Sequence, residues 1–155
     1  CGLHVHMSKA ALRPLTIGRM QVFLHEPSNA PFVEGVCRRT FNRYAKSIAP
    51  KLTDHTDRPD RYEALNLTNS KTVELRLPKG SIQPATIMGT LEFCYALIRF
   101  CEQASNACLT TKAFLAFITT DAMLSDTRAL RTYLVTRGLA DAPSMKLPKH
   151  NKKAA

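Results

Sequence analysis

Residues 72–77 read TVELRL, and how these six residues are interpreted decides the fold. Val73, Leu75 and Leu77 alternate with Thr72, Glu74 and Arg76, the period-two pattern of a strand with one apolar and one polar face. An acid and a base on the polar side have a plain explanation, since Glu and Arg are ordinary on the wet face of an antiparallel strand. They also have a chemical one. A carboxylate can hold a cation or orient a neighbour, and a guanidinium fork suits phosphoryl oxygens in a way that a lysine cannot reproduce.

Working outward, Tyr62–Leu67 forms a second strand-like run, joined to Lys71–Leu77 through Thr68-Asn69-Ser70, where Asn69 suits a tight turn. The pair reads as a β-hairpin. Near the start, residues 2–8, GLHVHMS, alternate Leu3, Val5 and Met7 with His4, His6 and Ser8, so both imidazoles point to one side of a half-buried strand. The remaining periodic segments are helical. One helix is expected over Leu15–His25, closed by Pro27, and a second from about Ala30 to Ile48, with Pro31 in its first turn and Pro50 past its end. A long apolar helix opens at Pro84 and runs to about Ala104, followed by helical regions near Leu109–Ile118 and Ser125–Arg137. Lys51–Arg61 is polar and aperiodic and reads as an exposed loop.

The chain has 155 residues at 45% apolar composition, enough for the core of one domain. The domain spans residues 1–137 and is followed by a basic tail, 138–155, whose Lys146, Lys149, Lys152 and Lys153 suit an anionic partner. With 22 Lys and Arg against 12 Asp and Glu, the net charge of +10 favours phosphates, nucleotides, nucleic acid or an anionic surface. No apolar run is long enough to span a membrane and no signal-peptide pattern opens the chain, so a cytoplasmic location is expected. The five cysteines form no CxxC pair, which argues against a zinc knuckle or a disulfide framework. Cys94, Cys101 and Cys108 recur every seven residues and read as small core residues stacked on one helix face. Because the first residue is Cys1 and a strand follows at once, the sequence reads as starting inside a domain.

Two neutral imidazoles and a carboxylate on polar strand faces can bind a divalent cation, and a metal together with an arginine is the equipment of phosphoryl transfer. GLHVHMS resembles the G-x-H-x-H-x-S segment of the glutamine synthetase superfamily, and KTVELRLPKGSIQPATIMGTLEFCYALI resembles its I-E-x-R-F-P segment with the helix that follows. The amidoligase-like branch of these carboxylate–amine ligases is the more similar: a histidine strand is followed there by R-Y-x-A-L-N-L and by T-[VI]-E-[FL]-R-[IL]-x-[KR]-G-[ST], here Arg61–Leu67 and Thr72–Ser81. Three motifs in order cover residues 1 to about 105. The resemblance implies an α+β fold, a curved antiparallel sheet packed by helices with a helical C-terminal part. It makes His4 and Glu74 metal ligands, His6 a nucleotide contact, Arg76 the holder of the transferring phosphate, and Arg61 a weaker candidate for the same anionic site.

The implied reaction joins a carboxylate to an amine through an acyl phosphate, with ATP and Mg2+ as cofactors and no Ser or Cys nucleophile. Two features depart from the family pattern. The 12 acids include no E-x-E pair, and Pro78 stands where amidoligase-like members commonly carry an aromatic residue. The resemblance therefore implies a C-terminal catalytic portion, completed by a missing N-terminal segment or by self-association. Two other readings compete with it: a non-catalytic structural module, as in a phage-related assembly, and a basic nucleic-acid-binding protein. Aromatic interleaving for single-strand binding is weak, with no Trp in the chain.

Overall fold

A computed structural model describes residues 2–47 and 62–147. Five helices and a small three-stranded antiparallel sheet make up a mixed α/β fold among these residues. The strands are β1 (Val5–Ser8), β2 (Leu65–Asn66) and β3 (Thr72–Leu75). The helices are α1 (Pro14–His25), α2 (Ala30–Cys37), α3 (Pro84–Gln103), α4 (Thr111–Phe117) and α5 (Arg128–Thr136). None of the described helices is long and apolar enough to cross a membrane.

The sheet order is β1-β3-β2, so TVELRL supplies the central strand rather than an edge. Val5, Leu75 and Leu65 lie side by side across the three strands, and Met7 lies opposite Val73. Met7, Leu65, Val73, Leu75 and Leu77 are buried and Val5 is partly buried against them, which is the apolar face that the alternation predicts. Backbone bonds extend the pairing past the regular strands, from Leu3 N to Pro78 O and from Arg76 N to Ala64 O.

The helices complete the core. α3 is 20 residues, about 30 Å long, and packs against both α1 and α5. Phe114 of α4 sits at the centre, its ring 5.5–5.8 Å from those of Phe23, Phe32, Phe93 and Phe100, the spacing at which edge-on aromatic contacts are favourable. Asn29, buried between α1 and α2, donates to Phe23 O and Leu109 O while its Oδ1 accepts from Thr111 N and Oγ1. One side chain thus ties the α1–α2 turn to the start of α4.

Four expectations need correction. The second helix does not run to Ile48: it ends at Cys37, because Arg38 takes a left-handed conformation (φ 56°) and anchors its guanidinium on Lys79 O and Gly80 O. The first strand of the expected hairpin shortens to Leu65–Asn66. Cys94 and Cys101 are buried in α3, and burial pushes both thiols up to about 12, but α3 stops at Gln103 and leaves Cys108 exposed on a 3-10 turn. Finally, the chain does not leave the core at Gly138. Leu139, Ala140 and Leu147 pack on it and Met145 is buried, held by Arg131, which donates to the carbonyls of Met145, Lys146 and Leu124. The Lys51–Arg61 loop, Cys1, and the lysines at 149, 152 and 153 lie outside the described residues.

Candidate functional site

The polar face of the sheet is built by register. In the antiparallel pairing His6 lies opposite Glu74 from one side and Asn66 lies opposite it from the other. Residues directly opposite in a ladder project to the same face, so His6, Glu74 and Asn66 form one row across all three strands. Two positions along, Thr72 faces Ser8, and His6 Nδ1 shares a 3.3 Å hydrogen bond with Thr72 Oγ1. His4 and Arg76 extend the same face at the other end.

Glu74 is the centre of this network. Although it sits on the polar face it is only 6% exposed, which excludes the simple wet-face explanation. Its Oε2 accepts from Asn66 Nδ2 at 2.7 Å, and its Oε1 faces His4 Nδ1 at 2.8 Å and Arg76 Nη1 at 3.0 Å. Arg76 Nη1 also reaches Oε2 at 3.3 Å, and His6 Nε2 lies 3.8 Å from Oε1. Burial pushes the Glu74 carboxyl up, but the Asn66 amide and the Arg76 guanidinium outweigh it, so the net shift is downward and the group is ionised at neutral pH.

An ionised carboxylate only accepts, so the 2.8 Å contact puts the His4 proton on Nδ1. His4 is held below the ordinary histidine range, first by burial and then by Arg76, with Glu74 opposing. A neutral His4 with Nδ1 protonated presents a lone pair on Nε2.

Arg39 reaches the same corner. The left-handed turn at Arg38 redirects the chain at the end of α2, with Arg39 N bonding back to Glu34 O and Phe41 N to the Glu34 side chain. Arg39 Nη1 then lies 3.4 Å from Arg76 O. Gly2, bridged to Lys79 at the end of the sheet, lies between them: a Cβ there would stand 3.0 Å from His4 Nε2 and 3.3 Å from Arg39 Nη1. The buried Arg76 Nε has no hydrogen-bond acceptor among the described residues, and the Tyr62 ring centroid lies 6.0 Å from the guanidinium carbon.

Of the residues expected to act together, His4, His6, Glu74 and Arg76 converge, and Arg61 lies outside the described residues. Asn66 and Arg39 were not expected. Strand parity could have placed Asn66 on the polar face, but Arg39 arrives through a helix end and carries no periodic signal. The donor set suits an anion. It does not suit a magnesium ion as arranged: the one carboxylate already accepts from an amide, an imidazole and a guanidinium, magnesium favours oxygen ligands, and no group of three or more His, Cys, Asp or Glu among the described residues is placed to hold a metal. No family model, no curated protein and no solved structure matches the chain.

Proposed function

We propose that this chain carries the phosphate-handling face of an ATP-dependent carboxylate–amine ligase. The observation that supports the reading most is the register of β1 on β3. Two motifs far apart in sequence pair so that His6 stands opposite Glu74, 68 residues on, with His4 bonded to the same carboxylate and Arg76 beside it. The curved sheet of the glutamine synthetase superfamily is the architecture in which such strands would line a cup, and the three-stranded sheet would form one part of it.

In this reading Arg76 binds the phosphoryl group being transferred, and its guanidinium spreads the charge that develops there. His6, exposed at the rim, contacts the nucleotide. Glu74 fixes the orientation of both His4 and Arg76 through the bonds described above. ATP supplies the phosphoryl group that activates the carboxylate, and an amine then displaces phosphate to leave the amide. Magnesium would arrive bound to the phosphates of the nucleotide, as is usual for this ion.

Isothermal titration of the full chain with magnesium and ATP tests the reading, run beside a Glu74→Ala, Arg76→Ala double variant. Binding of about micromolar strength that disappears in the variant is expected. Absence of heat with the folded wild-type chain overturns the proposal and leaves the strands as scaffold.

A further inference from the structure

A cleft between α3 and α5 shares no lining residue with the polar face of the sheet. Glu92 meets Leu130 and Gly89 meets Tyr133, so the two helices run antiparallel and the start of α3 lies beside the end of α5. Three contacts fix the walls. Glu92 Oε2 accepts from Leu130 N at 2.7 Å, the bare Gly89 lets Tyr133 approach so closely that a Cβ there would stand 2.8 Å from Tyr133 Cβ, and Tyr133 Oη donates to Val36 O at 2.9 Å. The space between them is about 580 Å3, within the range of roughly 300–1,000 Å3 that small-ligand sites occupy.

The middle of the cleft is apolar and its charge lies at the ends. Ala85, Ala129 and the Tyr133 ring line the middle. Thr132 and Thr136 also line it, but their hydroxyl protons are committed to Arg128 O and Thr132 O one turn back, so they leave no donor for a ligand. The charged donors are the guanidiniums of Arg128 and Arg137, which lie about 13 Å apart along the axis of α5. Neither takes part in an ion pair among the described residues, where the pairs join Glu74 to His4, His6 and Arg76, Arg99 to Glu102, and Lys146 to Asp121. Glu92 is the one acid among the described lining residues, and it caps the first turn of α5 at the Arg128 end. One positive charge is left in excess, at the Arg137 end. The first turn of α3, on that side, holds no acidic residue and no side-chain cap, so its dipole adds to the field of Arg137.

A ligand that satisfies this cleft needs one negative end for Arg137 and an apolar body for the middle. Inorganic anions have the charge without the body, and a nucleotide brings several charges where one is in excess. We infer that the α3–α5 cleft binds a medium-chain monocarboxylate, with the carboxylate in the fork of Arg137 and the hydrocarbon body along Ala129 and Tyr133. The inference goes beyond the proposed function and does not depend on it.

Octanoate is the probe, titrated into the full chain at constant ionic strength and neutral pH and followed by calorimetry and by backbone amide resonances. Saturable binding at about 1 mM or tighter is expected, with shifts at Ala85, Thr86, Ala129 and Tyr133. Acetate lacks the body and octan-1-ol lacks the charge, and each should bind at least about tenfold more weakly. Arg137→Gln should weaken octanoate by at least about tenfold and leave octan-1-ol unchanged, with partial recovery for octanoate in Arg137→Lys, which restores charge without the fork. Ala129→Leu fills the middle of the cleft and should abolish octanoate binding in a chain whose circular dichroism and thermal midpoint show it folded. Arg99→Gln removes a positive charge elsewhere on α3, where Arg99 pairs with Glu102, and should change nothing. No saturation, equal binding of acetate and octanoate, wild-type affinity in Arg137→Gln, an equal loss in Arg99→Gln, or amide shifts confined to another surface overturns the inference.

Discussion

Acid should loosen this fold through one histidine. His25 closes α1, is 7% exposed, and lies with Nδ1 3.1 Å from Ser47 Oγ and its ring centroid 6.0 Å from that of Phe41. Burial lowers its pKa to about 4. In the unfolded chain the same side chain titrates at about 6.5, so between these values the unfolded state binds a proton that the folded state refuses. Stability from this source is whole above the unfolded pKa and declines as pH falls toward 4. At about 1.4 kcal/mol for each tenfold difference in proton affinity, the loss from pH 7 to pH 4 is about 3 kcal/mol. Urea unfolding followed by circular dichroism at several pH values in this window reads it directly, as a fall in midpoint of about 1–3 M for an ordinary slope. His25→Gln has no titrating ring, and its stability should decline less over the same range by the amount computed. Parallel wild-type and variant curves would refute the reasoning, because the loss would then belong to other groups.

Gly89→Ala should destabilise the chain by about 1–3 kcal/mol in thermal unfolding, against the helix propensity of alanine, because the added Cβ would stand 2.8 Å from Cβ and Cγ of Tyr133 and force α3 away from α5. Arg131→Met removes the donors to Met145 O, Lys146 O and Leu124 O. Limited proteolysis should then cut between residues 139 and 147 well before the helices are touched. Asn66→Ala strips Glu74 Oε2 of its amide donor and Thr68 of its acceptor, at about 1–3 kcal/mol. It should also raise the pKa of Glu74, visible in a carboxyl-carbon NMR titration.

What the sequence could reveal differs from one residue to the next for physical reasons. Alternation puts Val73, Leu75 and Leu77 on one face and Glu74 and Arg76 on the other, and the structure agrees because a pleated strand has no other choice. Pro84 marks a helix start correctly, since a missing N–H costs nothing in a first turn. Alternation does not reveal which strand is the neighbour, so the burial of Glu74 under Asn66 and His4 is invisible to it. The end of α2 was missed because Arg38 adopts the left-handed conformation without the glycine that usually announces it, stabilised instead by carbonyls 41 and 42 residues away. Arg39 was missed for the same reason. The placing of Met145 depends on Arg131, one buried charge that no hydrophobic pattern contains.

The order β1-β3-β2 also sets a timetable. Strands β2 and β3 are close in sequence, and a hairpin of that kind closes in microseconds, whereas β1 must find partners on β3 that lie 64 to 70 residues away, which topology makes slow. Asn66, Glu74 and Arg76 can therefore meet early, as a local half of the site with its carboxylate and guanidinium already engaged. The histidines arrive only when the amino-terminal strand docks, which loop-closure entropy places after the closing of the local hairpin. A chain caught before that step would carry the acid and the base without the imidazoles, so the His4–Glu74 contact reports the docking of β1.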